Sequence, residues 1–247
     1  EKPDAILVHG DSSTALAAGL AAFYSRIPIG HVEAGLRTGS IYSPFPEEVN
    51  RQAVGAMTTL HFAPTKRSAE NLKKEGFPEQ TIFVTGNTVV DALLWIDKKT
   101  GEIPHLRKLF GDKPMVLMTV HRRENFGEPV RAIFSAVAEF AKNHPEFQIV
   151  YPVHRNPNVK DVAYTMLGSF SNVSLIDPVS YEQLAFLIKS CQFLITDSGG
   201  IQEEAPSFGV PLFVLRESTE RPEGVEAGVA ELLGPNQALI EERVNEF

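Results

Sequence analysis

The sequence predicts an α/β protein, built from β-α units around parallel sheets and divided into two domains. Three observations predict it. Short apolar runs of strand length alternate with segments of helical period along the whole chain. Those runs end in polar or glycine-rich turns. One charged stretch with Gly and Pro, Lys98-Lys99-Thr100-Gly101-Glu102-Ile103-Pro104, interrupts the rhythm and reads as a linker.

In chain order, strands are expected at residues 5–8, 27–32, 59–63, 82–84, 115–120, 148–153, 173–176, 193–196 and 211–215. Helices are expected around residues 14–25, 47–57, 67–74, 88–98, 128–143, 159–167, 181–190 and 202–208. Helix ends carry matching signals: Asp11-Ser12-Ser13 before the Ala-rich helix, Pro46-Glu47-Glu48 opening the next, and Gly76 and Gly209 after helix ends. A boundary at the linker gives residues 1–98 about four strands and residues 99–247 about five. In such a protein, ligands go to the carboxyl ends of the strands, in the cleft between the sheets.

Composition narrows the class. With 247 residues, 43% apolar and 22% charged, the chain is an ordinary globular one, large enough for a core without disulfides or structural metals. Lys and Arg number 23 against 31 Asp and Glu, and a net charge of −8 argues against a nucleic-acid partner. The longest apolar stretch, residues 15–24, falls short of the ~18–20 residues a membrane span requires. Cys191 is the only cysteine, which excludes a disulfide framework and a thiolate metal cluster and fits a reducing, cytoplasmic setting. His-x-x-x-His, Cys pairs and aspartate-rich loops are missing as well, so no metal is expected. The chain opens with Glu1-Lys2-Pro3-Asp4 and enters a strand at once, which reads as a fragment.

Polar residues recur where strands end: His9-Gly10-Asp11, Glu33-Ala34-Gly35, Gly86-Asn87, His121-Arg122-Arg123-Glu124, His154-Arg155-Asn156 and Asp197-Ser198-Gly199-Gly200. The last of these, running into a helix through Glu204, has the makings of a diphosphate site, because glycines allow close approach and a helix start favours anions. By itself it is equally a tight strand-to-helix turn. Glu204 is suited to ribose hydroxyls or is simply an acid at a helix start. Asp11, Glu33 and Glu47 are candidate catalytic carboxylates. Asp11 also suits an N-cap and Glu47 a helix dipole, whereas neither capping nor solvation calls for an acid at position 33. Arg122, Arg123, Arg155 and Arg221 are candidates for phosphate binding, against surface ion pairs, and His121 and His154 for hydrogen bonding or proton transfer. His9 and His31 read as satisfied polar groups at strand ends.

Longer motifs make the reading specific. His31-Val32-Glu33-Ala34-Gly35-Leu36-Arg37-Thr38-Gly39, then Tyr42-Ser43-Pro44-Phe45-Pro46-Glu47-Glu48 and Asn50-Arg51, resemble the non-hydrolysing UDP-N-acetylglucosamine 2-epimerase family. So do Val8-His9-Gly10-Asp11, Thr85-Gly86-Asn87-Thr88, His121-Arg122-Arg123-Glu124-Asn125, Pro152-Val153-His154-Arg155-Asn156-Pro157-Asn158, the segment from Asp197 to Pro206, and Thr219-Glu220-Arg221-Pro222-Glu223. The resemblance implies two Rossmann-like domains with parallel sheets, as in GT-B glycosyltransferases, the first of them incomplete. Residues 1–98 would be the sugar and catalytic side, and residues 99–247 the UDP side. It implies reversible conversion of UDP-N-acetylglucosamine (UDP-GlcNAc) to UDP-N-acetylmannosamine (UDP-ManNAc) by a cytoplasmic homodimer that uses no cofactor.

By the same resemblance the catalytic acids fall on Asp11, Glu33 and Glu47 and the catalytic histidine on His121. Nucleotide contacts fall on Ser198, Gly199, Gly200, Glu204 and Arg221, with Arg122, His154 and Asn156 as further substrate-binding residues. An interdomain hinge is expected near residues 98–104. Family members begin with about three further β-α units and end with a helix that packs on the first domain, so a protein of this length alone is expected to fold poorly or turn over slowly. Three competing readings remain: a GT-B glycosyltransferase, a hydrolysing epimerase that releases free N-acetylmannosamine, and a non-catalytic nucleotide-sugar sensor.

Overall fold

The computed structural model describes residues 3–246. The chain falls into two compact units, the first running to Thr88 and the second starting at Val89. The first contains β1 (Ile6–His9), α1 (Ser13–Tyr24), β2 (Ile29–Val32), α2 (Glu47–Met57), β3 (Leu60–Ala63), α3 (Lys66–Lys74) and β4 (Ile82–Val84). Its strands are parallel in the order β1-β2-β3-β4. Because every step goes the same way, right-handed crossovers lay the helices on one face of the sheet. That face carries the register row Val8, His31, His61 and Ile82, with Val8 and both histidines buried. The opposite face carries Leu7, Leu60 and Phe83, all exposed.

The second unit follows as α4 (Thr88–Lys99), α5 (Pro104–Phe110), β5 (Met115–Thr119), α6 (Glu128–Asn143), β6 (Gln148–Pro152), α7 (Pro157–Leu167), β7 (Val173–Ile176), α8 (Tyr181–Ser190), β8 (Phe193–Thr196), α9 (Ile201–Ser207), β9 (Leu212–Val214), α10 (Pro222–Glu226), β10 (Ala230–Leu232) and α11 (Gln237–Asn245). Its sheet is parallel in the order β10-β9-β8-β5-β6-β7. Winding runs from β5 outward to β7, then restarts at β8 on the other side, so β5 and β8 flank a topological switch point. Helices cover both faces: α6, α7 and α11 contribute to one apolar cluster, and α5, α8 and α9 to the other. No helix among the described residues is long and apolar enough to cross a membrane.

Four differences from the sequence expectation have physical causes. The break lies at Thr88/Val89 rather than in the charged stretch. There α4 buries Leu93, and its Asp97 accepts a 2.8 Å bond from Lys189 of α8, which ties it to the second unit. Part of the supposed linker is helical, since Pro104 opens α5 at the position where a missing N–H costs nothing. The second sheet has six strands instead of five, because β10 is only Ala-Glu-Leu and carries no periodic signal. Helix α11 escapes notice for a similar reason, burying just Ile240 and Val244.

Candidate functional site

At the carboxyl ends of the first sheet, the chain gathers acids around one arginine. Gly10, at φ +68°, turns the chain from β1 to Asp11 at the head of α1. Ser12 caps that helix, its hydroxyl accepting from Ala15 N–H at 3.1 Å, which leaves the Asp11 carboxylate for other work. It accepts from the guanidinium of buried Arg51 on α2. Arg51 also donates to the Glu33 carbonyl and lies 4.0 Å from the Glu33 carboxylate. Asn50 Nδ2 donates to the Asp11 carbonyl at 2.8 Å. Glu47 stands one turn before Arg51, at the first position of α2, where its charge also favours the helix dipole.

Glu33 pays for its place in strain. Its φ of +65° lies in the left-handed region, which costs a non-glycine residue on the order of 1 kcal/mol. Gly35 follows at φ +85°, and a Cβ there would collide with the Ser68 carbonyl of α3. The packed turn thus holds Glu33 out at the strand end, where its carboxylate meets His9 Nε2 at 3.3 Å. That contact raises the His9 pKa. Burial raises the Asp11 pKa, helped by the charges of Glu33 and Glu47 and opposed by Arg51. A carboxyl whose pKa is raised is better suited to proton transfer. His31, as the sequence suggests, is a satisfied core group on one side: its Nε2 lies 2.8 Å from the Gly10 carbonyl. Glu48 braces the adjoining loop by accepting from Thr38 and Gly39 N–H at 3.1 and 3.3 Å.

In the second unit the switch point brings the ends of β5 and β8 together. Asp197, 0% exposed, accepts from the backbone N–H of His121 and Arg122 at 3.0 and 2.8 Å and from Asn125 Nδ2 at 3.0 Å. Its other oxygen lies 3.2 Å from His121 Nδ1. Burial lowers the His121 pKa, Arg122 and His154 lower it further, and Asp197 raises it. The His121 and His154 rings stack with centroids 5.9 Å apart. Over the turn after β8, a Cβ on Gly199 would lie 2.9 Å from Arg221 Nη1, 3.2 Å from Arg122 Nη2 and 3.2 Å from Glu220 Oε1. A Cβ on Gly200 would meet nothing within 4 Å, and neither glycine has a positive φ. These glycines supply clearance, with two guanidinium groups close by. Arg221 is held by Glu203 at 2.5 Å and by Glu220. Burial pushes the Glu220 carboxyl up, but Arg221 and Arg216 outweigh it and hold the pKa at about 2.

The predicted residues therefore form two groups. Asp11 and Glu33 share Arg51, with Glu47 beside them; His121, Arg122, Ser198, Gly199 and Arg221 surround the switch-point turn. Glu204, one turn into α9, accepts from Tyr181 Oη at 2.8 Å, and burial raises its pKa. Asn156 is the N-cap of α7, its side chain accepting from Asn158 N–H at 3.0 Å, while its own N–H donates to His154 Nδ1 at 3.2 Å. Sequence reasoning gave no role to Arg51, Asn125, Tyr181, Asp197 or Glu220. Asp197 did carry a signal, an acid directly after the apolar run Phe193-Leu194-Ile195 and Thr196.

The family profile described as UDP-N-acetylglucosamine 2-epimerase matches residues 1–247. The chain belongs to the UDP-N-acetylglucosamine 2-epimerase family. It is 53% identical over 243 residues to the Yersinia pestis UDP-N-acetylglucosamine 2-epimerase, a match covering 95% of this chain and 65% of the relative. Identity to the Escherichia coli K12 enzyme of that name is 50% over 251 residues, 98% of this chain and 67% of the relative. The chain thus spans about two thirds of the length of these curated relatives. Among solved structures, the Neisseria meningitidis UDP-GlcNAc 2-epimerase bound to UDP-GlcNAc matches with a TM-score of 0.95 at 45% identity, covering 99% of this chain and 68% of that one. The S. aureus MnaA-UDP co-structure also gives 0.95, at 49% identity over 99% of this chain and 67% of that one. The fold class is the predicted one: α/β with parallel sheets in two units, shared with the GT-B-like epimerases of this family.

Proposed function

We propose that this chain carries the catalytic acids and the nucleotide grip of a non-hydrolysing UDP-GlcNAc 2-epimerase, which interconverts UDP-GlcNAc and UDP-ManNAc. The observation that carries the reading is the sharing of one buried guanidinium, Arg51, by Asp11 and Glu33, with Glu47 one turn away. A glycosyltransferase needs the nucleotide grip but has no use for such a cluster. The Arg37-Thr38-Gly39 segment, which Glu48 braces, favours the non-hydrolysing branch by resemblance.

The chemistry follows from the difficulty of inverting C2, whose hydrogen is not acidic while the C1–O bond is intact. Breaking C1–O first places positive character at C1 and acidifies that hydrogen. Anti elimination then gives UDP and 2-acetamidoglucal, and syn re-addition gives the epimer. Carboxylates stabilise the oxocarbenium character and take the C2 proton. Since the proton returns on the other face, at least two proton-handling groups are needed, and Asp11, Glu33 and Glu47 supply them. Arg122, Arg221 and the Gly199–Gly200 turn hold the diphosphate, Glu204 the ribose, and His121 assists the departing phosphate. His154 and Asn156 complete the substrate-binding set. The same reading makes the enzyme a cytoplasmic homodimer without metal or other cofactor, serving polysaccharide biosynthesis.

The test is an NMR time course of UDP-GlcNAc with the protein at its natural length in deuterated water. The expected product is UDP-ManNAc carrying deuterium at C2. Free N-acetylmannosamine would replace this reading with a hydrolysing one, and binding without turnover would replace it with a sensor.

A further inference from the structure

The epimerase reading assigns His121 to the departing phosphate and gives Asp197 no role in the reaction. Asp197 is nevertheless the most heavily engaged acid of the second unit. It is fully buried at the end of β8, accepts three N–H donors from the segment after β5, and reaches His121 Nδ1 at 3.2 Å. A carboxylate at Nδ1 decides which ring nitrogen carries the fixed proton. The Asp197 carboxylate 3.2 Å from Nδ1 favours a proton on that nitrogen and leaves Nε2 to give up and regain one. The neighbouring ring is set the other way: His154 Nδ1 accepts from Asn156 N–H, so its proton belongs on Nε2.

We propose, resting on the epimerase reading, that Asp197 is the positioning residue that makes His121 Nε2 the proton donor to the phosphate oxygen leaving C1. As the C1–O bond breaks, its electron pair goes to the β-phosphate oxygen. The imidazolium gives that oxygen the Nε2 proton, and the neutral ring recovers it on re-addition. The charged groups facing His121 are Asp197, Arg122 and His154. The two cationic or ionisable neighbours and burial disfavour the imidazolium, and Asp197 alone among them supports it. Burial, Arg122 and His154 outweigh it, and its buried charge limits how far the His121 pKa falls.

The test has two parts. In the wild-type protein, 15N shifts of the His121 ring should show neutral His121 with its proton on Nδ1; a proton on Nε2 in the neutral ring overturns the proposal without any variant. In the Asp197→Asn variant, kcat should fall about 100-fold or more, by analogy with other acid-oriented histidines, while UDP affinity stays within several-fold. The alkaline limb of its kcat profile should move to lower pH, since loss of the carboxylate lowers the His121 pKa. Asn125→Ala removes a loop-holding bond to the same carboxylate and leaves its charge, so its limb should stay at the wild-type pH. A uniform loss of kcat with an unmoved limb in Asp197→Asn, or the same limb shift in both variants, would make Asp197 a loop brace only. A wild-type protein that does not epimerise UDP-GlcNAc would sink the underlying reading instead.

Discussion

The two units are wound from the same β-α step, yet their sheets differ. In the second, the winding reverses at β5/β8, helices lie on both faces, and β5 and β8 are buried along their whole length. Among the described strands of the first, the order runs one way, and Leu7 is 72% exposed on the face opposite the helices. The sites differ in the same sense. The reversal in the second unit creates a crevice where Asp197 and His121 meet without backbone strain at either residue. In the first unit the acids are held by a strained residue, Glu33, and an arginine from a helix. The two clusters are therefore held by different means, a buried carboxylate in one and local strain with side-chain pairing in the other.

The sharpest way to break this comparison is at Glu33. In the protein at natural length, Glu33→Gln and Glu47→Gln should each lower turnover by about 1000-fold, as expected when a proton-transferring group is lost, with UDP affinity within several-fold. Unchanged turnover removes that acid from the catalytic list. Glu33→Gly should lose turnover equally while keeping or raising the melting temperature, because glycine relieves the φ of +65°. A large fall in melting temperature would mean that the strain serves the fold rather than the site. Next in size is Arg51→Ala. Stripping one partner from a buried ionic cluster costs roughly 3 kcal/mol, and a denaturant midpoint unchanged from wild type would show that the acids do not depend on it.

How far the site was legible in the sequence follows from the same contrast. The strand ends were readable because buried parallel strands are continuous apolar runs and the polar residues stop them. Glu33 stood out, since nothing local explains an acid before Ala34-Gly35. Asp11 and Glu47 did not, because capping and dipole rules account for acids at those places; only the structure shows Ser12 taking the cap. Arg51 and Asp197 act across 40 and 76 residues of chain, on Asp11 and His121. No local period encodes such pairings. The charged linker misled for the opposite reason: Gly, Pro and charge mark a break in regular structure, and they do so equally between α4 and α5 of one unit.

A smaller effect separates the two glycines of the switch-point turn. Gly199→Ala places a methyl against Arg221, Arg122 and Glu220, and displacing those cations should weaken UDP about 10-fold, near 1.4 kcal/mol, by calorimetry. Gly200→Ala meets no protein atom within 4 Å and should leave the melting temperature unchanged. If Gly200→Ala also leaves UDP affinity unchanged, the diphosphate does not approach that face of the turn.

The most gradual expected difference is in acid. Burial lowers His31 to about 4 and lowers His61 as well, so both stay neutral in the folded first unit, while the unfolded chain protonates them below about 6.5. The stability His31 preserves is complete above about pH 6.5 and falls as pH drops toward about 4, by at most about 1.4 kcal/mol per pH unit, and His61 acts in the same direction. His9, raised by Glu33, works the other way, adding stability that fades as pH rises through its raised pKa, but its ring is exposed and offsets little. In the second unit, Glu220 at about 2 contributes stability present above about 4.5 and lost only as pH falls through about 2. His121 is lowered there too, but its half-exposed ring can protonate without unfolding the sheet. Hydrogen exchange at pH 5 should therefore show β2 and β3 losing protection relative to pH 7, while β5 and β8 keep theirs. Equal losses in the two sheets would mean that the buried histidine row, Val8 to Ile82, is not what sets the acid response of the first unit.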